Sequence, residues 1–271
     1  NAPLKNAHNV LILLEHDPRL KGRIRKNLFT GVVEGQAPLP WGIREKQKEV
    51  FKWTDEDDAG LRIYIEKTLG FRSRDIIEDA MKNHAIKYGY NPVEEYLDSL
   101  EWDGVRRLDT LYIDYLGAQD NAYIRAVARK AFTAAVARIK TPGCKFDTMT
   151  ILTGPPGIGK STLIRKMACY KWFNDSITSF EGKEARELVQ GAWIIEIGEL
   201  EAFNKSETER IKQFLSQQDD IYRAAYGRNV EWHPRTCVFF GTSNNSEYLK
   251  DLTGNRRFWP VDCCKELQTK D

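Results

Sequence analysis

Apolar residues recur along this chain with two different periods, and the change falls near residue 141. From 55 to about 140 the spacing is three to four residues, the signature of amphipathic helices. A helix over 57–69 is predicted to end at Gly70, and a second is predicted from a Ser73 cap to Tyr88, with Gly89 as its stop. Asn91 and Pro92 open a third, and Trp102-Asp-Gly104 reads as a turn. A long helix follows from about Asn121 to Ile139, with Ile124, Val127, Ala128, Ala131, Ala135, Val136 and Ile139 on its apolar stripe. Arg125, Arg129 and Lys130 fall off that stripe and read as a solvated face, with a DNA- or subunit-facing surface as the alternative. Before residue 55 the pattern is mixed: residues 10–14 suit a short helix and Pro38-Leu-Pro40 a loop.

Thr141-Pro-Gly143 breaks the long helix, and beyond it short apolar runs alternate with helical ones. Strands are predicted at 148–153, 192–197 and 236–242, with a fourth at 257–261. That alternation is the mark of a parallel α/β sheet. Ser206-x-x-Glu209 reads as a capping box for a helix to about Gln218. Residues 221–233 alternate around a Gly-Arg-Asn turn, as a β-hairpin does. The expected organisation is a mainly helical N-terminal domain over 1–140 and an α/β domain over 141–271.

Composition changes this picture little: the 271 residues are 41% apolar and 30% charged, as in ordinary globular proteins. No apolar run approaches the roughly 18 residues of a membrane span, and no signal peptide is legible, so no membrane partner is expected. The chain begins at Asn1, which reads as a piece of a longer protein. Five cysteines without Cys-x-x-Cys spacing read as reduced thiols, the state of a cytoplasmic protein. Net charge is +2, with 23 basic against 21 acidic residues over 1–140 and 18 against 18 over 141–271. Any nucleic-acid site must therefore be a local patch.

The chemistry concentrates in the second half. Gly154-Pro155-Pro156-Gly157-Ile158-Gly159-Lys160-Ser161 has the spacing G-x-x-x-x-G-K-S, between a predicted strand and a helix that starts with Thr162. This is the pattern of a P-loop: glycines let backbone N–H groups wrap an anion, and the helix N-terminus faces the same charge. Lys160 is expected on the β- and γ-phosphates of ATP and Ser161 on Mg²⁺. The next strand carries Glu196 inside it and Glu199 at its exit. A carboxylate in a buried strand is costly unless it meets a metal or a partner. Glu199 is the candidate water-activating group and metal ligand, and Glu196 assists Mg²⁺ or bridges to Lys160. The third strand ends in Thr242-Ser-Asn-Asn245, where an amide can sense the γ-phosphate; Asn244 is favoured over Asn245. Arg256 and Arg257 follow, either one a candidate finger for a neighbouring subunit's phosphate. Arg223, Tyr226 and Arg228 on the hairpin give cationic and aromatic groups suited to single-stranded DNA, or a purely structural turn.

Taken in order, Asn91–Leu97, Trp102-Asp-Gly104 with Arg107, Pro142–Lys145, Gly154–Ser161, Trp193–Leu200, Gly241–Asn244 and Thr253–Pro260 resemble the virulence-associated protein E family. Its ATPase core is similar to superfamily 3 viral helicases. The resemblance covers about residues 90–262 and departs at Pro156, where many members carry Gln. It implies an AAA+-like, superfamily 3 helicase-type ATPase core, binding ATP and Mg²⁺. It also implies a homo-oligomer such as a hexameric ring, single-stranded DNA as substrate, a primase as companion, and replication of a phage or other mobile element in the bacterial cytoplasm. A regulatory ATP-binding protein that does not translocate DNA is the alternative, and a small-molecule kinase is a third reading.

Overall fold

The computed structural model describes residues 5–42, 50–223, 229–245 and 255–264. By compactness the chain forms two units, Asn1–Glu95 and Tyr96–Asp271. This division does not coincide with the change of period at 141.

The first unit opens with α1 (Ala7–His16), capped by Asn6, whose side chain accepts from the Asn9 amide. Three short strands follow, β1 (Ile24–Lys26), β2 (Val33–Gln36) and β3 (Val50–Lys52), paired antiparallel in that order. They are three or four residues long with mixed burial, too short for a period-2 signal to be legible. Then come α2 (Asp55–Leu69) and α3 (Arg74–Lys87). α2 carries a Thr54–Asp57 capping box and ends at Gly70, which adopts the left-handed conformation expected of it. Ser73 precedes α3 but makes no side-chain cap bond. The core is built from Val10, Leu14, Leu20, Ile24, Leu61, Ile65, Ile77 and Met81.

The division falls within α4 (Pro92–Asp98), which starts on Asn91, the acceptor for the Val93 and Glu94 amides. In the second unit α5 (Leu111–Leu116) and α6 (Ala122–Lys140) precede the sheet. The stripe predicted for α6 is buried apart from Val136; Arg138 is buried in addition. Its guanidinium donates to the carbonyls of Cys144, Phe146 and Cys237, so it ties the helix to the turn at 141–147. Helical periodicity cannot distinguish such a clamp from a surface arginine. Arg129 and Arg125 make surface ion pairs with Asp109 and Asp120.

Strand and helix alternate as far as α9, and four strands follow: β4 (Met149–Thr153), α7 (Lys160–Met167), β5 (Phe173–Asn174), α8 (Gly182–Val189), β6 (Ile194–Ile197), α9 (Lys205–Leu215), β7 (Asp219–Tyr222), β8 (Glu231–Pro234), β9 (Val238–Ser243) and β10 (Phe258–Asp262). Five of them form one parallel sheet in the order β10-β4-β9-β6-β5. β4, β6 and β9 are buried at every position, as central strands covered on both faces must be. Met149, Ile151, Ile195, Ile197 and Phe239 meet Val189 of α8 and Ile211, Phe214 and Leu215 of α9. On the opposite face Phe132 of α6 packs on Phe240 with ring centroids 5.5 Å apart. The cap of α9 is Asn204 with Glu207, two residues before the expected Ser206–Glu209 box. β7 and β8 form the predicted hairpin as a separate antiparallel pair. At its base Arg235, paired with Asp220, also donates to the Phe214 carbonyl and Gln217. Among the described residues, no helix is long and apolar enough to cross a membrane.

His84 gives this fold a pH dependence. It is 1% exposed, and neither ring nitrogen has a hydrogen-bond partner. Burial pushes its pKa below the ordinary 6.5, against the opposing pull of Glu15 nearby, with Lys87 adding to the depression. The unfolded chain therefore takes up the proton first, so His84's contribution to stability is whole above that pH and drains away as pH falls below it. Urea unfolding at pH 7.5 and 5.5 is expected to show a loss of stability on acidification that becomes smaller in His84→Leu.

Candidate functional site

In a parallel sheet every strand ends at the same edge, so the segments leaving β4, β6 and β9 meet there. They surround a cleft of about 520 Å³ lined by Pro156, Gly157, Gly159, Lys160, Ser161, Thr162, Glu196, Glu199, Thr242 and Asn244. The loop 154–159 passes directly from β4 into α7. Gly154 has φ of 141°, and a Cβ there would lie 2.2 Å from the Cys263 carbonyl oxygen, so no other residue fits without displacing backbone. Gly157 and Gly159 also have positive φ, and Gly159 is the N-cap of α7. Ile158 is 7% exposed.

Lys160 lies in the first turn of α7 and is 7% exposed. Its Nζ donates to the carbonyls of Gly154 at 2.6 Å and Pro155 at 2.9 Å, with Asn244 Oδ1 at 3.4 Å. Gly154 and Pro155 thus hold the lysine, and they and Ile158 are not among the residues lining the cleft. Ser161 Oγ donates to Glu196 Oε1 at 2.5 Å, and Thr242 Oγ1 donates to the same oxygen at 2.7 Å. Glu196 is 4% exposed, and these two hydroxyls are what make its burial in a parallel strand tolerable. Among the described residues Glu196 therefore bonds Ser161 and Thr242. Glu199 is exposed at the mouth of the cleft in a left-handed conformation with φ of 54°, unusual for a non-glycine residue. Leu200 behind it is buried against Gly241, where a Cβ would lie 2.5 Å from Leu200 Cδ1. The glycine in β9 therefore lets the segment carrying Glu199 settle onto the sheet.

The sequence profile described as the virulence-associated protein E-like domain matches residues 97–271, well over half of the chain. The chain belongs to the virulence-associated protein E-like family. No curated protein matches it significantly. Among solved structures, an apo form of the NrS-1 C-terminal region, residues 305–718, is similar with a TM-score of 0.53 at 14% identity, covering 99% of this chain and 64% of that one. A second apo form of the same region gives 0.51 at 13%, covering 99% and 63%. The virulence-associated protein E-like chain thus spans less than two thirds of these relatives, and at such identity the likeness is one of fold.

Other predicted residues lie elsewhere. Arg256 and Arg257 form a 3₁₀ turn that enters β10, so they stand at its N-terminal end. β10 runs parallel to β4 with Phe258 opposite Met149 and Asp262 opposite Thr153. The arginines are therefore about 15 Å of strand away from the glycine loop, at the opposite edge of the sheet. Arg257 lies 3.8 Å from Asp147, and Arg256 is exposed. Arg223 is exposed at the end of β7; Tyr226 and Arg228 lie outside the described residues. Five cleft residues fall outside the site read from the sequence: Gly198, Thr242, Ser243, Arg165 and Asp175, the last two ion-paired at 2.7 Å. Arg165 is one turn beyond Ser161 on α7, a spacing that places it on the same face. β9 is buried at every position, so no alternation in the sequence marks Thr242.

Replacing Gly154 by alanine is expected to destabilise the protein by more than Gly157→Ala, where a Cβ meets nothing within 4 Å and the cost is the roughly 1–2 kcal/mol of a left-handed residue alone. Denaturant midpoints of the two variants check the order; equal losses would remove the steric role given to Cys263.

Proposed function

We propose that this protein is an ATP-hydrolysing motor acting on DNA in the replication of a phage or related mobile element. The observation that carries the reading is the convergence of the 154–161 loop, buried Glu196 and strand-tip Asn244 on one cleft. The donor set suits a nucleoside triphosphate with Mg²⁺: an ammonium, a hydroxyl, and the backbone amides at a helix N-terminus, at a cleft of ligand size. Backbone amides of 157–162 and Lys160 would hold the phosphates, and Ser161 would hold the cation with support from Glu199. Among the described residues no three His, Cys, Asp or Glu side chains converge, so phosphate and water would supply most of the metal's ligands. The bound pair supplies the phosphoanhydride to be cleaved and the cation that neutralises its charge.

The chain's own groups divide the remaining work. Glu199, exposed at the mouth, orients water and accepts its proton. Asn244 reads the terminal phosphate beside Lys160. Arg256 or Arg257 cannot serve the cleft of its own chain from the opposite sheet edge, which supports a role across a subunit boundary in a ring-shaped homo-oligomer, a hexamer being one such form. Arg223 at the end of β7, with Tyr226 and Arg228 that follow it in sequence, would contact single-stranded DNA. A primase companion and the bacterial cytoplasm as workplace follow from the same reading.

The test is ATP turnover with and without single-stranded DNA. DNA is expected to stimulate turnover, and Lys160→Ala to lower it by on the order of 100- to 1,000-fold, the loss typical of a preorganised charge on a transition state. Turnover indifferent to DNA would instead mark a regulatory nucleotidase. Arg256→Ala and Arg257→Ala subunits mixed with Glu199→Gln subunits should regain part of the activity that each lacks alone, for whichever arginine acts in trans. An absence of rescue for both would refute the shared site.

A further inference from the structure

Among the cleft side chains to which the nucleotide reading gives no role, Thr242 alone bonds the buried Glu196 carboxylate among the described residues. Thr242 is 7% exposed on β9, two residues before Asn244. Glu196 of β6 pairs with Phe240 of β9, and Thr242 lies two positions further on, hence on the same face of the sheet as Glu196. Its hydroxyl reaches Glu196 Oε1 at 2.7 Å. Ser161 Oγ reaches the same oxygen at 2.5 Å from α7. Both lone pairs of Oε1 are thereby engaged, and among the described residues Oε2 accepts no hydrogen bond.

We propose that Thr242 is a positioning residue for the magnesium-dependent part of nucleotide binding. The proposal rests on the nucleotide reading above and adds a residue to it. Held from β9 by Thr242, the Glu196 carboxylate keeps one orientation, with Oε1 turned to Ser161. Ser161 then spends its proton on Oε1, and its own lone pairs are left for a cation. Without the Thr242 bond the carboxylate is free to rotate about its last torsion, and the Ser161 hydroxyl loses its fixed acceptor. The same hydrogen bond ties β6 to the strand that ends in Asn244, so one side chain registers the cation-binding hydroxyl with the phosphate-sensing amide. A hydroxyl that merely satisfied a buried carboxylate would affect stability and leave the metal requirement unchanged.

The experiment is equilibrium binding of a fluorescent, non-hydrolysable ATP analogue across a Mg²⁺ titration, with thermal melts as a control. Thr242→Val, which keeps the shape and removes the donor, is expected to raise the Mg²⁺ concentration for half-maximal binding by about tenfold, the effect of losing one hydrogen bond to a charged group. Binding in EDTA should stay within about twofold of the parent. Thr242→Ser should restore the metal requirement. An unchanged Mg²⁺ midpoint in Thr242→Val, or an equal loss of affinity with and without Mg²⁺, would overturn the proposal while leaving the nucleotide site standing. Failure of the unsubstituted protein to bind the analogue at any Mg²⁺ concentration would refute the nucleotide reading itself. If Thr242→Val does not fold, Thr242→Cys, a weaker donor in the same place, carries the test with the same expected direction.

Discussion

The parallel register of β4 between β9 and β10 is the constraint from which the rest of the second unit follows. Parallel strands need crossover connections, and those connections bring helices onto both faces of the sheet. They also send every strand's C-terminal end to one edge. The glycine loop, the Glu199 segment and Asn244 are far apart in sequence, and they meet because three hydrogen-bonded strands stop together. The same register sends Arg256 and Arg257 to the other edge. Sheet direction therefore decides which of the chain's charged groups share a site.

Within that frame, the buried Glu196 is the most demanding element. An ionised group in a low-dielectric interior is stable only when its lone pairs are met by well-placed donors. Here the donors come from two different elements, the first turn of α7 and the end of β9. The carboxylate thus joins the loop's helix to the sheet by a contact that depends on its charge. Lys160 is treated differently: loop carbonyls hold its ammonium, which fixes its position while keeping its positive charge intact.

Much of this was legible from residue order. The four main strands, the long helix and the hairpin follow from period and turn chemistry, and the loop from its spacing. The edge strand β5 was not legible because two residues carry no periodicity. The small antiparallel sheet of the first unit escaped for the same reason, since its strands alternate over too few positions. The buried Arg138 and Arg235 look like surface residues in any hydropathy pattern; only the carbonyls and the Asp220 carboxylate that the fold places around them explain their burial. Glu196 could be suspected from its cost within an apolar strand, whereas Thr242 is an ordinary strand residue until the register places it beside that carboxylate.

The separation of Arg256 and Arg257 from the cleft has a consequence for control. Under the proposed reading, a lone subunit holds its fuel with an incomplete catalytic set, and the missing charge arrives only with a neighbour. Turnover then depends on crowding: scarce protein idles with nucleotide bound, and abundant protein fires collectively. Such a chain would sense its own abundance without any separate regulator, and fuel consumption would begin only where enough copies had gathered.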